Sequence, residues 1–114
     1  MDQTFEISGR EVDGIHIVSV SGEIDVATAP ELRDRLQAVT GSGRTTVVDL
    51  LGVTFLDSTA LGVLVGALKR SRESGGQLRL VLDQPRILKV FEITGLSDVF
   101  AIHATVAQAL EGAS

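Results

Sequence analysis

The sequence contains no cysteine, no tryptophan and no tyrosine. Without cysteine the chain has no disulfide, no thiolate metal ligand and no cysteine nucleophile. Its 4 phenylalanines are the only aromatic residues, so the core must be built from Leu, Val, Ile and Ala, and platforms for stacking single-stranded bases are scarce. The formal net charge of −5 also disfavours a nucleic-acid partner, because phosphate backbones select basic surfaces.

The sequence also lacks a recognisable export signal or membrane span. Residues 1–6 are acidic and have neither the basic nor the apolar region of a secretory signal, so we expect a cytoplasmic protein. The longest apolar stretch, residues 47–68, contains Asp49 and Asp57. Each carboxylate would cost roughly 2.5–3.5 kcal/mol at the centre of a bilayer. We therefore interpret this stretch as a buried strand followed by a buried helix.

The pattern that is present predicts one α/β (mixed α+β) domain over residues 1–114. Thr28 and Glu31 have the spacing of a capping box, and Asp83 precedes an apolar helical pattern as a second cap. The predicted strands are 4–8, 15–20 with an irregular extension, 45–50, 77–82 and 99–102, the first two joined by a turn at Asp13-Gly14; the predicted helices are 28–40, 58–72, 83–95 and 105–110. This order predicts a small mixed sheet of four to five strands with about four helices packed mainly on one face.

Three consecutive polar residues, Asp57, Ser58 and Thr59, stand where the central strand meets the following helix. One of them is explained as an N-cap, a role open to Ser58 or to Asp57 and worth about 0.5–2 kcal/mol. Three exceed what capping requires, and the surplus indicates a functional site. Along the helix, Ser58, Gly62 and Gly66 form one line of small residues. That line either lets a strand approach closely or leaves a shallow groove for a partner.

Two other protein classes have a functional residue at a comparable position after a strand. Ser58, Asp98 and His103 occur in the chain order of a serine hydrolase, but Leu56 and Ala60 replace the glycines of a nucleophile elbow. A receiver domain would phosphorylate Asp57, but it needs an acidic pair after its first strand and a late lysine to hold Mg²⁺ and phosphate. Both classes are disfavoured. The sequence therefore predicts no catalytic residue, no metal site and no cofactor.

Three segments carry a resemblance to a known family: residues 21–29 (SGEIDVATA), 47–50 (VVDL) and 53–62 (VTFLDSTALG). At this separation they resemble the STAS domain family, and specifically bacterial anti-sigma factor antagonists, over nearly the whole chain. The sequence departs from the family pattern at Ala60, where many members carry glycine. We expect that alanine to tighten the first helical turn without removing the phosphate acceptor.

The resemblance implies a partner switch. The unmodified protein would bind an anti-sigma factor that is also a serine kinase, freeing a sigma factor; the kinase would phosphorylate Ser58, with Thr59 as the fallback acceptor, and a PP2C-type phosphatase would restore it. Asp25 would lie beside the Ser58 turn, and the partner surface would comprise Asp25, Asp57, Ser58, Thr59 and Gly62. No nucleic-acid or membrane partner is implied. The same fold also serves as an adaptor module of membrane transport systems, a use that the intact Asp57-Ser58-Thr59 disfavours.

Overall fold

The computed structural model describes residues 5–113, and within them the strands form a five-stranded mixed sheet. The elements in chain order are β1 (Glu6–Val12), β2 (Ile15–Ile24), α1 (Ala29–Val39), β3 (Thr45–Leu56), α2 (Ser58–Glu73), β4 (Gln77–Val81), α3 (Pro85–Ile93), β5 (Ala101–His103) and α4 (Val106–Leu110). The strands lie in the order β1-β2-β3-β4-β5; β1 is antiparallel to β2, and the other neighbours are parallel. The predicted fold class is confirmed, whereas Thr4, the predicted start of the first strand, lies outside the described residues.

The helices divide unequally between the two faces of the sheet. Alternate side chains of a strand point to opposite faces, and in β2 Val18 and Val20 enter the larger core while Ile15 and Ile17 enter the smaller one. The larger core is covered by α1, α2 and α3; its fully buried side chains include Leu32, Leu36, Leu50, Leu64, Leu80 and Phe91. The smaller core lies under α4 and comprises Ile15, Ile17, Val47, Val81 and Ala109. The helices thus pack mainly on one face, as predicted.

The hairpin between β1 and β2 has the turn that the sequence predicts. Asp13 and Gly14 both adopt positive φ angles, 52° and 82°. Two consecutive residues in this region make a type I′ turn, whose twist matches that of the strands it joins. The pairing of Val12 with Ile15 follows directly from that turn.

Strand β3 runs six residues beyond the end predicted at residue 50 and contains two irregularities. Its partners on β2 around these points are Ser19 with Asp49, Ser21 with Gly52, Gly22 with Val53 and Glu23 with Phe55. At each break β3 has one residue more than β2, which makes both breaks β-bulges on β3. The core-facing residues of the strand are consequently Val48, Leu50, Val53 and Leu56, and their spacing no longer alternates. This loss of alternation explains why the predicted strand ended early.

Two of the predicted helix caps differ from those in the structure. Helix α3 has Gln84 rather than Asp83 as its N-cap residue, and the side chain of Gln84 makes no capping bond. Helix α1 has Thr28 at its N-cap, but Thr28 likewise makes no side-chain capping bond. Among residues 5–113, no helix has the length and apolarity that crossing a bilayer requires.

Candidate functional site

The turn between β3 and α2 is capped by Asp57 and not by Ser58. Asp57 has an extended backbone, and its Oδ1 accepts a hydrogen bond of 3.0 Å from the backbone N–H of Ala60. Its carbonyl accepts from the N–H of Leu61, at 3.1 Å. Ser58 is therefore the first residue of α2, and its hydroxyl takes part in no hydrogen bond with residues 5–113. Of the two capping candidates in the sequence, the structure selects Asp57.

The first two turns of α2 expose the residues that the resemblance singled out. Ser58, Thr59 and Gly62 are exposed, whereas Ala60 and Leu61 are buried in the larger core. The methyl group of Ala60, the departure from the family pattern, therefore points away from the exposed side of the turn. It leaves the surroundings of the Ser58 hydroxyl open to solvent.

Asp25 lies next to this turn because β2 and β3 end together. Ile24 and Leu56, the last residues of the two strands, are paired, and the N–H of Asp57 donates to the carbonyl of Ile24 at 3.2 Å. Neighbouring strands lie about 4.8 Å apart. Asp25 and Asp57 thus follow adjacent parallel strands at the same edge of the sheet, and both carboxylates are half-buried.

The carboxylate of Asp25 closes the loop between β2 and α1. Its Oδ1 accepts from the N–H groups of Ala27 and Thr28, at 3.0 and 3.1 Å. The Thr28 hydroxyl accepts from the N–H of Asp25 at 2.9 Å and donates to the carbonyl of Glu23 at 2.9 Å. The predicted capping box of Thr28 and Glu31 is wrong, because these bonds turn the Thr28 hydroxyl back into the loop and away from the helix amides.

Two exposed apolar residues near this turn, Val26 and Phe55, were not predicted from the sequence. Val26 follows Asp25 at the tip of the loop and is 72% exposed. A single exposed aliphatic side chain is common on protein surfaces, but this one follows Asp25, at the edge of the sheet where the Ser58 turn begins. The signal in the sequence was an isolated valine between Asp25 and Ala27, in a loop without strand or helix periodicity. We call the following residues the Ser58 surface: Asp25, Val26, Asp57, Ser58, Thr59 and Gly62.

The line of small residues along α2 faces open space. Among residues 5–113, a Cβ atom added at Gly62 or Gly66 would meet no heavy atom within 4 Å outside the adjoining helix backbone. Close approach of a strand, one of the two interpretations of this line, is therefore wrong. The open interpretation remains, in which the side of α2 beginning at Ser58 is accessible to another molecule.

The structure does not assemble a hydrolase site around Ser58. His103 ends β5 and is level with Asp49 in the sheet, through the pairs Asp49–Val81 and Val81–His103. Leu56 pairs with Ile24, five β2 residues beyond Ser19, the partner of Asp49. At about 3.3 Å per residue, Leu56 is therefore roughly 16 Å from that level, and Ser58 follows it. Asp98 precedes β5, at the opposite end of that strand. The three residues are not brought together.

The sheet also differs from that of a receiver domain. Flavodoxin-like receivers have the strand order 2-1-3-4-5. Here the strands follow chain order and the first pair is antiparallel. The receiver interpretation of Asp57 is therefore not supported by the topology, and Asp57 instead serves as the cap of α2.

Comparison with known proteins gives consistent matches over nearly the whole chain. The family model of the STAS domain matches residues 6–109. A protein named anti-sigma-B factor antagonist from Listeria monocytogenes serovar 1/2a is 42% identical over 103 residues, which cover 90% of this chain and 90% of the relative. The crystal structure of an anti-sigma factor antagonist from Mycobacterium paratuberculosis superposes with a TM-score of 0.88 at 32% identity, covering 96% of this chain and 94% of that chain.

A transport protein has a similar fold. The murine Solute Carrier 26 family member A9 anion transporter matches with a TM-score of 0.66 at 24% identity, over 78% of this chain but only 15% of the transporter. At this identity the likeness concerns the fold alone. The transporter-adaptor alternative is therefore less supported than the antagonist interpretation, whose relatives match over almost their full length.

Proposed function

This chain belongs to the STAS domain family, and we propose that it is an anti-sigma factor antagonist that changes partners when Ser58 is phosphorylated. In the unmodified state it binds an anti-sigma factor with serine kinase activity and so releases a sigma factor. The kinase transfers phosphate from ATP to the Ser58 hydroxyl, and a PP2C-type phosphatase removes it. The chain is then a regulatory binding protein and a kinase substrate rather than an enzyme, and these partners belong to the cytoplasm.

The observation that carries the proposal is the exposed hydroxyl of Ser58, which forms no hydrogen bond with residues 5–113. It is exposed at the first position of a 16-residue helix, and Asp57 has taken over the capping bond. A kinase can therefore reach the hydroxyl without breaking a hydrogen bond of the fold. Thr59 is also exposed and stays the fallback acceptor.

The position of Ser58 lets the fold tolerate a phosphate. Phosphorylation adds about −1.5 to −2 charges and three acceptor oxygens. The first N–H groups of a helix have no intrahelical acceptor, and the helix dipole favours an anion there by about 0.3–1 kcal/mol. Because Ser58 is exposed, the added group displaces no core side chain. We expect the phosphorylated protein to remain folded.

The same charge acts differently against a partner. On the Ser58 surface it joins the carboxylates of Asp25 and Asp57, which both lie at this edge of the sheet. Like charges brought together in an interface cost several kcal/mol, and about 1.4 kcal/mol corresponds to a tenfold change in affinity. One phosphate is then sufficient to weaken binding by about a hundredfold, without any large rearrangement of the fold.

The experiment is ATP-dependent labelling of the protein by its anti-sigma kinase, together with binding measurements by titration calorimetry. We expect Ser58→Ala to lose the label and to keep its affinity, whereas Ser58→Asp binds at least about tenfold more weakly. Thr59→Ala is the matched control and keeps the label. If Ser58→Ala is still labelled, the acceptor is Thr59. If Ser58→Asp binds with unchanged affinity, the charge switch is ruled out.

A further inference from the structure

The side chain of Gln84 holds the bulged part of β3 through three backbone carbonyls. Its Nε2 lies 2.9 Å from the oxygen of Leu50, 2.9 Å from that of Leu51 and 2.8 Å from that of Val53. Its Oε1 accepts from the N–H of Asp83 at 2.9 Å. This last bond fixes the orientation of the amide, because only a carbonyl oxygen can accept it. Two N–H donors are thus shared among three carbonyls of one strand segment.

Among residues 5–113, these carbonyls have no strand partner on the β4 side, because β3 extends beyond the end of β4. The pairing of β3 with β4 ends at Asp49 and Val81, and within residues 5–113 no strand pairs with β3 on that side beyond this point. On the other side the first bulge, between Asp49 and Gly52, interrupts the ladder with β2 at Leu50 and Leu51. The bonds to Leu50 and Val53 are partly buried, whereas that to Leu51 is exposed; a buried backbone group without a partner costs about as much as a lost hydrogen bond. The Gln84 amide takes the place of the missing strand.

Gln84 is itself held firmly. It is the N-cap residue of α3, and that helix buries Ile87 and Phe91 in the larger core. Its hydrogen bonds therefore connect the bulged segment to a rigid part of the molecule. Bulges re-aim the residues that follow them, and the Ser58 turn begins only four residues after Val53, at Asp57.

We infer that Gln84 is a positioning residue for the Ser58 surface. It acts through β3: by holding the carbonyls of Leu50, Leu51 and Val53, it sets the direction in which Asp57 and Ser58 leave the sheet and meet a partner. The effect of Gln84 on partner binding rests on the proposed function, whereas its effect on the position of the Ser58 turn does not. Asp83, which the sequence predicted to be the helix cap, instead donates its backbone N–H to the Gln84 side chain.

The first test uses the isolated protein and Gln84→Glu, which has the same shape but points a carboxylate oxygen at the three carbonyls. Gln84→Met keeps the length of the side chain without a donor, and Gln37→Glu, at an exposed position of α1, is the control with the same change of charge. We expect backbone amides of residues 54–60 to exchange hydrogen at least about fivefold faster in Gln84→Glu, with Gln84→Met intermediate and Gln37→Glu unchanged. Unchanged exchange in both Gln84 variants overturns the inference.

The second test separates positioning from stability. With the anti-sigma kinase, at a temperature where all variants are folded, we expect the KM for Gln84→Glu to rise about fivefold or more while kcat stays within about twofold. A variant that is only less stable has a lower melting temperature and an unchanged KM, and this result also overturns the inference. If the wild-type chain is neither bound nor phosphorylated, the proposed function fails, and hydrogen exchange alone decides the role of Gln84.

Discussion

Replacing Gly62 by alanine separates the stability of α2 from the binding of a partner. Gly62 is exposed on the second turn of the helix, and in the described part of the chain an added Cβ would have no heavy atom within 4 Å outside the adjoining backbone. Alanine is favoured over glycine inside a helix by about 0.5–1 kcal/mol. We therefore expect Gly62→Ala to stabilise the protein, with a melting temperature raised by roughly 2–6 °C for a chain of this size.

Gly66 provides the matched control on the same helix. A Cβ added there also meets nothing within 4 Å, so Gly66→Ala gains a similar amount of stability. Only Gly62 belongs to the Ser58 surface, one turn from Ser58. An additional methyl group in a well-packed contact costs about 1–3 kcal/mol, which corresponds to a loss of affinity of roughly fivefold to a hundredfold. We expect that loss for Gly62→Ala and affinity within about twofold of wild type for Gly66→Ala.

The assay is thermal unfolding followed by circular dichroism, combined with titration calorimetry against the anti-sigma factor. A lower melting temperature for Gly62→Ala would refute the conclusion that this side of α2 is open. Wild-type affinity in both variants removes Gly62 from the contact. An equal loss of affinity in both variants means that the partner covers α2 beyond the Ser58 surface.

Two further predictions concern stability alone and are measured by urea unfolding. Asp57→Ala removes the cap of α2 and should cost about 0.5–2 kcal/mol, whereas Ser58→Ala, at an exposed uncapped position, should stay within about 0.5 kcal/mol; the reverse order would assign the cap to Ser58. A Cβ on Gly52 would lie 2.8 Å from the Cβ of Ser21, so Gly52→Ala should cost about 1–3 kcal/mol through overpacking between β2 and β3. The double variant Gly52→Ala with Ser21→Gly should recover most of that loss, and the absence of recovery would place the strain elsewhere.

The parts of the fold that could be predicted are those specified by neighbouring residues. The turn at Asp13-Gly14 follows from the preference of these two residues for positive φ. Helix α2 was predicted from residue 58 to 72 and ends at Glu73, because its apolar residues are continuous and glycines follow it. The order of strands and helices then limits the sheet to a few arrangements.

The parts that were missed depend on residues far apart in the chain. The end of β3 was not predicted, because two bulges interrupt the alternation of core-facing and outward-facing residues. Gln84 bonds to carbonyls more than thirty positions earlier, and no local sequence pattern predicts such a contact. The Thr28 hydroxyl can take part in either of two local motifs. In the structure it bonds within the loop closed by Asp25 and does not form the capping box.

The candidate site was predictable only in part, for the same reason. The three polar residues 57–59 are visible in the sequence, but the choice of cap depends on the backbone angles of Asp57. The proximity of Asp25 came from the family resemblance alone, since it requires the parallel pairing of Ile24 with Leu56. The exposure of Val26 depends on how the loop closes, which the sequence does not specify.

The assignment of the cap to Asp57 has a consequence for the proposed switch. If Ser58 were the cap, phosphorylation would alter the acceptor that starts α2, and each modification would disturb the fold. With the capping bond on the Asp57 carboxylate, the group that stabilises the helix and the group that changes charge are different. A phosphate on Ser58 would be repelled by Asp57 and attracted by the positive end of the helix dipole, and this attraction is about 0.3–1 kcal/mol. Because these two effects oppose each other, we expect phosphorylation to change the stability of the fold little, whereas a partner at the Ser58 surface would meet the full added charge.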